Sequence, residues 1–234
     1  MSFGKLYLIP TLLHDDAVET IPHYILDSVK NCQVFFVENE KTARRFLKKI
    51  WKDMIIDNYQ WYVIHKAEQE VRQSFIQILT SGKNIGILSE AGCPGVADPG
   101  QLLVKAAQEL NITIKPLVGP NSILLALMAS GMNGQCFQFH GYLPIDQLEK
   151  RKKILELEID SHNRNCTQIF IETPYRNNQL FKDIVQVGKE ETRICLAVDI
   201  TADSESIQTK TIKQWKQIEL DIHKRLAIFL MQAS

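Results

Sequence analysis

Short apolar runs, each followed by a helical pattern, constrain this chain more than any other feature. Residues 6–9, 34–37, 62–64, 85–88 and 112–117 read as five strands. Between them, residues 17–30, 41–51 and 67–79, and a stretch starting near Gly100, carry apolar side chains at helical spacing. Such alternation predicts a mostly parallel sheet in which all strand carboxyl ends share one edge. That edge collects residues 10–16, Glu38, residues 89–98 and residues 117–122.

The fourth strand leads into Ser89-Glu90-Ala91-Gly92-Cys93-Pro94-Gly95-Val96-Ala97-Asp98-Pro99-Gly100. This segment is longer than an ordinary strand-to-helix connection. Gly92 and Gly95 allow positive φ and close backbone approach of a ligand, while Pro94 and Pro99 stiffen the loop. No Gly-Lys-Ser/Thr follows, and there is no G-x-G-x-x-G. The carboxylates of Glu90 and Asp98 disfavour a polyphosphate and suit ribose hydroxyls or a cationic ligand. Strand, glycine-rich loop and helix together make a ligand loop at a sheet edge.

The second half is less regular. Residues 136–141, 167–171, 193–198, 207–211 and 226–230 read as strands, with a charged helix at 146–159 and another ending near Val187. A hairpin turn at Ser204 and Glu205 implies antiparallel pairing. The expected fold class is therefore α/β, with a mostly parallel five-stranded N-terminal sheet and a mixed C-terminal sheet. The boundary is placed so that residues 1–117 form the first domain and 118–234 the second.

Composition excludes several classes. Formal net charge is zero over 234 residues, so polyanion affinity must come from local patches. No apolar run approaches the roughly 20 residues of a membrane span, and the first ten residues lead straight into a strand rather than forming a signal peptide. Cys32, Cys93, Cys136, Cys166 and Cys195 are scattered, with no C-x-x-C, and read as thiols in a reducing cytoplasm. His14, His23, His65, His140, His162 and His223 show no metal-ligand spacing, so no metal is expected. Trp51, Trp61 and Trp215 are read as packing residues.

Three elements carry a resemblance. They are residues 88–100, then Leu117-Val118-Gly119-Pro120-Asn121-Ser122, then Ile171-Glu172-Thr173-Pro174-Tyr175-Arg176. Together they resemble the tetrapyrrole methylase superfamily, the class III S-adenosylmethionine-dependent methyltransferases. Glu38-Asn39-Glu40-Lys41-Thr42-Ala43-Arg44-Arg45 and Phe139-His140-Gly141-Tyr142-Leu143-Pro144 are most similar to the branch that methylates a cytidine 2′-hydroxyl in small-subunit ribosomal RNA. The similarity covers nearly the whole chain.

This resemblance implies two α/β domains with the methyl donor in a cleft between them, in a cytoplasmic homodimer. It implies S-adenosylmethionine as cofactor, with contacts from Pro10, Glu90, Ala91, Gly92, Cys93, Pro94, Gly95, Val96, Ala97, Asp98, Leu117, Ser122, Ile171, Glu172 and Thr173. The implied partner is ribosomal RNA or the small ribosomal subunit. There are departures. Leu12-Leu13-His14-Asp15-Asp16 stands where the branch carries Gly-Asn-Leu, Cys93 stands where Thr is usual, and Val198-Asp199-Ile200-Thr201 replaces an Arg-Glu-Leu-Thr run.

Methyl transfer from a sulfonium needs mainly positioning, and a hydroxyl acceptor also needs a base. Glu172 is the first candidate base, because it ends a strand; Glu38 and Asp16 follow. Arg44, Arg45, Lys48, Lys49 and Lys52 share helical spacing and make a basic face, with residues 150–153 a second patch. Arg44, Arg45 and Arg176 are the candidate acceptor contacts. Two other readings remain open on the residues. A tetrapyrrole or other small acceptor could use the same arginines. The altered first loop would also suit a relative that binds donor or RNA without catalysis.

Overall fold

The computed structural model describes residues 3–64 and 68–233. Its chain divides into two compact units, Met1–Asn121 and Ser122–Ser234, so the turn 118–121 goes with the first.

The first unit contains strands β1 (Leu6–Leu8), β2 (Val34–Val37), β3 (Gln60–Val63), β4 (Ile85–Leu88) and β5 (Ile114–Pro116). All pair in parallel, in the order β3-β2-β4-β1-β5, which makes β4 the central strand. Helices α1 (Tyr24–Lys30), α2 (Glu40–Ile50), α3 (Glu68–Thr80) and α4 (Gln101–Glu109) cover both faces. The period-2 alternation of a strand divides the core accordingly. Phe35 and Val37 pack with Ile25, Val29, Phe46 and Leu47 of α1 and α2. Val34 and Phe36 pack with Phe75, Leu79, Leu103 and Ala107 of α3 and α4. A strand buried on both faces reads as a continuous apolar run, which is how β2 and β4 appear in the sequence.

One helix expected at 17–30 is broken. A single 3₁₀ turn, Val18–Thr20, is followed by Ile21 in an extended conformation, and α1 begins only at Tyr24. Pro22 is the cause, because its ring pushes the preceding residue out of the helical region. Ala67, where the sequence starts the third helix, lies outside the described residues, as does His65. Trp61 and Trp51 are packed against Phe35 and Tyr59.

The second unit starts with helix α5 (Ser122–Ser130) and continues with β6 (Phe137–Tyr142), α6 (Gln147–Arg164), β7 (Thr167–Ile171), α7 (Asn177–Val187), β8 (Arg193–Val198), β9 (Ser206–Thr211), α8 (Ile212–Trp215) and β10 (Ala227–Gln232). Its sheet runs β6-β7-β10-β8-β9. The β6–β7 pair is parallel and the other pairs are antiparallel, so this sheet is mixed as expected. Helix α6 runs five residues past its expected end at Ile159 and stops at a left-handed Asn165. The sequence 160–164 is polar and looks like a loop. Ser161, however, is fully buried, and its hydroxyl accepts the Ala233 amide at 2.9 Å. Trp215 is buried and its indole N–H donates to the Ile194 carbonyl at 2.9 Å. Among the described residues no helix is long and apolar enough to cross a membrane.

Candidate functional site

Because β4 is central, the loop leaving it at Ser89 is flanked by the chain ends of β1 and β2. Hydrogen bonds tie these neighbours together. Thr11, just past β1, donates its amide to the Gly92 carbonyl at 2.8 Å and accepts the Gly92 amide at 3.3 Å. Its hydroxyl donates to the Ser89 carbonyl at 3.3 Å. Glu38, at the end of β2, accepts the Glu90 amide on Oε2 at 3.0 Å, and the Thr42 hydroxyl donates to Glu90 Oε1. From the β5 side, the Val118 amide donates to the Tyr24 hydroxyl at 2.6 Å, and the Cys93 thiol lies 3.6 Å from the Pro120 carbonyl.

Two glycines make this close assembly possible. Gly92 has φ +73°, and a Cβ there would lie 3.3 Å from Leu13 and 3.5 Å from the Pro120 carbonyl oxygen. A Cβ on Gly119 would lie 2.2 Å from Cγ of Pro10, so the β1 and β5 loops touch only because position 119 has no side chain. Gly119→Ala is therefore expected to lower stability by about 2 kcal/mol through forced backbone movement. Urea unfolding of the variant checks this; an unchanged midpoint would contradict the contact. Pro10, the residues from Glu90 to Asp98, and Leu117 are thus brought to one edge of one sheet.

That edge is acidic and uncompensated. Asp98 has its carboxyl pushed up to about 6, chiefly by burial, then by the charges of Glu38 and Glu90, with the Ser89 hydroxyl opposing. Among the described residues, none of Glu38, Glu90 and Asp98 takes part in an ion pair. A cationic ligand would relieve their repulsion. Ala97 adds a non-glycine residue at φ +64° within the same loop, the kind of local strain that concentrates at binding sites.

In the second unit, Ser122 opens α5, and Ile171, Glu172 and Thr173 follow β7. The Glu172 side chain is completely enclosed. Its Oε1 accepts the Thr173 amide at 2.7 Å and the Arg176 guanidinium at 2.6 and 3.0 Å. Lys150 Nζ stands 3.7 Å from Oε2. The residue ranked first as a base therefore has its carboxylate turned inward, between two cations. What this segment offers to a ligand is its backbone and the half-buried Ile171 and Thr173.

The basic patches are also largely engaged. Arg44 pairs with Glu40 and lies 5.1 Å from the Trp61 ring. Arg45 grips Asp15 at 2.9 and 3.2 Å, and Lys49 reaches the Asp15 carboxylate at 3.3 Å and its carbonyl at 2.6 Å. Lys48 donates to the Lys52 and Met54 carbonyls in the segment after α2. Lys150 is buried against Glu172, and Arg151 binds Asp183 at 3.2 Å. Asp16 is exposed, with its amide 3.4 Å from His14 Nδ1.

Sequence reasoning gave no role of their own to Thr11, Tyr24, Thr42 or Gly119, and it read Lys150 only as part of a basic patch. For Lys150 a signal existed. It is on one helical stripe with Ile154, Leu157, Glu158 and Ser161, all buried. The others act through partners far away in the chain, and local pattern gave no sign of them.

Residues 21–216 match the family model of the Tetrapyrrole (Corrin/Porphyrin) Methylases. The chain belongs to this family. Among its curated relatives is "Ribosomal RNA small subunit methyltransferase I" of Vibrio cholerae, 30% identical over 203 residues, covering 87% of this chain and 67% of the relative. The protein of the same name from Bacillus subtilis is 29% identical over 213 residues, 90% of this chain and 68% of the relative. Solved structures share the fold at low identity. Diphthine synthase has a TM-score of 0.70 at 12% identity, with 98% of this chain and 90% of that chain covered. The methyltransferase CobJ has a TM-score of 0.64 at 12% identity over 100% of this chain and 95% of that one. As a member of this methylase family the protein is an enzyme, a methyltransferase, and its α/β fold class is the one read from the sequence.

Proposed function

We propose that the protein binds S-adenosylmethionine at the edge formed by Pro10, the loop from Glu90 to Asp98, and Leu117, and methylates a nucleotide of small-subunit ribosomal RNA on its 2′-hydroxyl. The observation that carries the donor reading is the cluster of Glu38, Glu90 and Asp98 without a cationic partner, around a loop whose backbone can be approached closely. The names of the relatives support the acceptor reading. Family resemblance adds Ser122, Ile171, Glu172 and Thr173 to the donor contacts, and a homodimer in the cytoplasm.

The cofactor supplies an electrophilic methyl carbon on a sulfonium, whose charge disappears on transfer. Carboxylates facing that charge stabilise the bound state more than the transition state, so Glu90 and Asp98 should contribute affinity rather than rate. Rate comes from positioning, which can supply about 7–11 kcal/mol, and the ties among Thr11, Gly92, Glu38 and Glu90 provide the rigidity it requires. A hydroxyl acceptor must lose its proton as the oxygen–carbon bond forms. Glu38 is our choice of acceptor for that proton, since only its Oε2 is committed to the Glu90 amide. Glu172 organises its own segment. Arg44 and Arg45 would meet RNA phosphates by exchanging their present carboxylate partners, and Arg176 would meet them through Nη1, the nitrogen that does not bind Glu172.

The test is transfer of labelled methyl to small ribosomal subunits and to naked ribosomal RNA. A label that survives alkaline hydrolysis as a protected dinucleotide is the expected result, since a 2′-O-methyl blocks cleavage. Label entering a tetrapyrrole and not RNA would overturn the acceptor assignment.

A further inference from the structure

We propose that Lys150 is a positioning residue for the methyl-donor segment, acting through Glu172 without touching the donor. The proposal rests on the reading that Ile171 and Thr173 meet S-adenosylmethionine.

Lys150 lies in the second turn of α6 and is 3% exposed. Its ammonium faces the end of β7, where Glu172 is 5% exposed. The separation from Oε2 is 3.7 Å, and that oxygen accepts no hydrogen bond. The other oxygen, Oε1, holds the Thr173 amide and both nitrogens of the Arg176 fork. Beyond it the chain is pinned by the Arg176 amide on the Thr173 carbonyl at 2.9 Å and the Lys224 amide on the Pro174 carbonyl at 3.0 Å. Asn177, fully buried, donates to the Arg225 carbonyl at 2.6 Å. Two buried side-chain oxygens of this turn accept no hydrogen bond, Glu172 Oε2 and Asn177 Oδ1, and of these only Glu172 Oε2 carries charge. Lys150 supplies the charge opposite that one oxygen.

Stability does not explain this arrangement. Burying an ammonium and a carboxylate is expensive, and well-packed apolar side chains of equal size often replace such a pair without loss. At 3.7 Å, without a hydrogen bond, the pair recovers less than a close one would. What a methionine could not supply is the field that keeps the Glu172 carboxylate inward. With the cation gone, the carboxylate has Arg176 alone, whose side chain is 37% exposed. It can then swing toward solvent with that side chain. The Thr173 amide then loses its acceptor, and the backbone presented by the segment shifts. Placement of reacting groups within about 0.5 Å depends on such supporting contacts.

The experiment is calorimetric titration of the full chain with S-adenosylmethionine, for the unsubstituted protein, Lys150→Met and Lys150→Arg. We expect Lys150→Met to fold, with a lower melting temperature because Glu172 keeps only one of its two cations, and to bind the donor about 10-fold or more weakly, the range seen when an outer supporting contact is lost. Methyl transfer at saturating donor should stay within about threefold, and Lys150→Arg should restore affinity to within about threefold, because it returns the charge. Folded Lys150→Met that binds donor like the unsubstituted protein overturns the proposal. A lower melting temperature with unchanged affinity also overturns it, as that is a structural role. Should Lys150→Met fail to fold, Lys150→Met/Glu172→Gln, which removes both charges, carries the same comparison. Unsubstituted affinity in the folded double variant would be equally fatal. Failure of the unsubstituted protein to bind S-adenosylmethionine overturns the donor reading itself, and is distinguished by the first titration.

Discussion

Gly92→Val is expected to remove S-adenosylmethionine binding while leaving the protein folded. Position 92 has φ +73°, where a β-branched residue is strained by about 1–3 kcal/mol. Space is lacking as well, since Cβ alone would meet Leu13 at 3.3 Å and the Pro120 carbonyl at 3.5 Å. Two further methyl groups must push either the first loop or the β5 loop away. The paired hydrogen bonds with Thr11 are then lost, and they join the chains leaving β1 and β4. A disturbance of about 2.7 kcal/mol corresponds to a 100-fold loss of affinity, and calorimetry should find at least that. Gly92→Ala, with the strain and the two Cβ contacts but without the further methyl groups, should fall between. The core residues of both sheet faces are untouched, so circular dichroism should be unchanged. A folded Gly92→Val protein that binds the donor normally would refute the assignment of this loop.

Donor affinity should also depend on pH through Asp98. The carboxyl is pushed up to about 6 from its ordinary 3.8, by burial first and by Glu38 and Glu90 next. Above pH 6 it is ionised and attracts a cation. Below pH 6 it is protonated, so donor affinity should fall by up to about tenfold per pH unit until the ordinary carboxylate range is reached. Asp98→Asn should bind more weakly at pH 8 and be nearly independent of pH between 5 and 8. Stability moves the other way. A carboxyl whose value is raised in the folded state contributes most below pH 3.8, and its contribution is lost as pH rises through 6. Because Asp98 is partly solvated, the effect is discounted to about 1 kcal/mol. Asp98→Asn should therefore be more stable by that amount at pH 8, with the difference vanishing below pH 4. Identical affinity profiles for the two proteins would remove Asp98 from the donor site.

The contrast between Asp98 and Glu172 shows how far the residue pattern reaches. Glu172 directly follows β7, Asp98 lies near the end of the loop between β4 and α4, and both segments are rich in turn residues. Its place after a strand ranks Glu172 as a base, and the family resemblance makes both residues donor contacts. In the folded chain Glu172 is neutralised by Lys150 and Arg176, while Asp98 shares its surroundings with two further carboxylates. No local pattern distinguishes these situations. The basic face of α2 gives the same lesson, since Arg45 and Lys49 are legible as a patch but their partner, Asp15, lies in the altered first loop. The broken helix before Tyr24 was legible in principle, since Pro22 announces it. The buried end of α6 was not, because Ser161 is buried by a contact with Ala233, 72 residues away.

By itself the sequence determined the alternation of strands and helices, the parallel and mixed sheets that follow, and the glycine- and proline-rich loop after β4. These depend on side-chain period, on φ preferences and on turn chemistry, all local along the chain. Only the tertiary structure decided which charges are matched and which are left open. Pairing depends on burial and on contacts such as that of Glu38 with the Glu90 amide, 52 residues apart. Charge in a protein acts through its surroundings, and those exist only once the chain has folded.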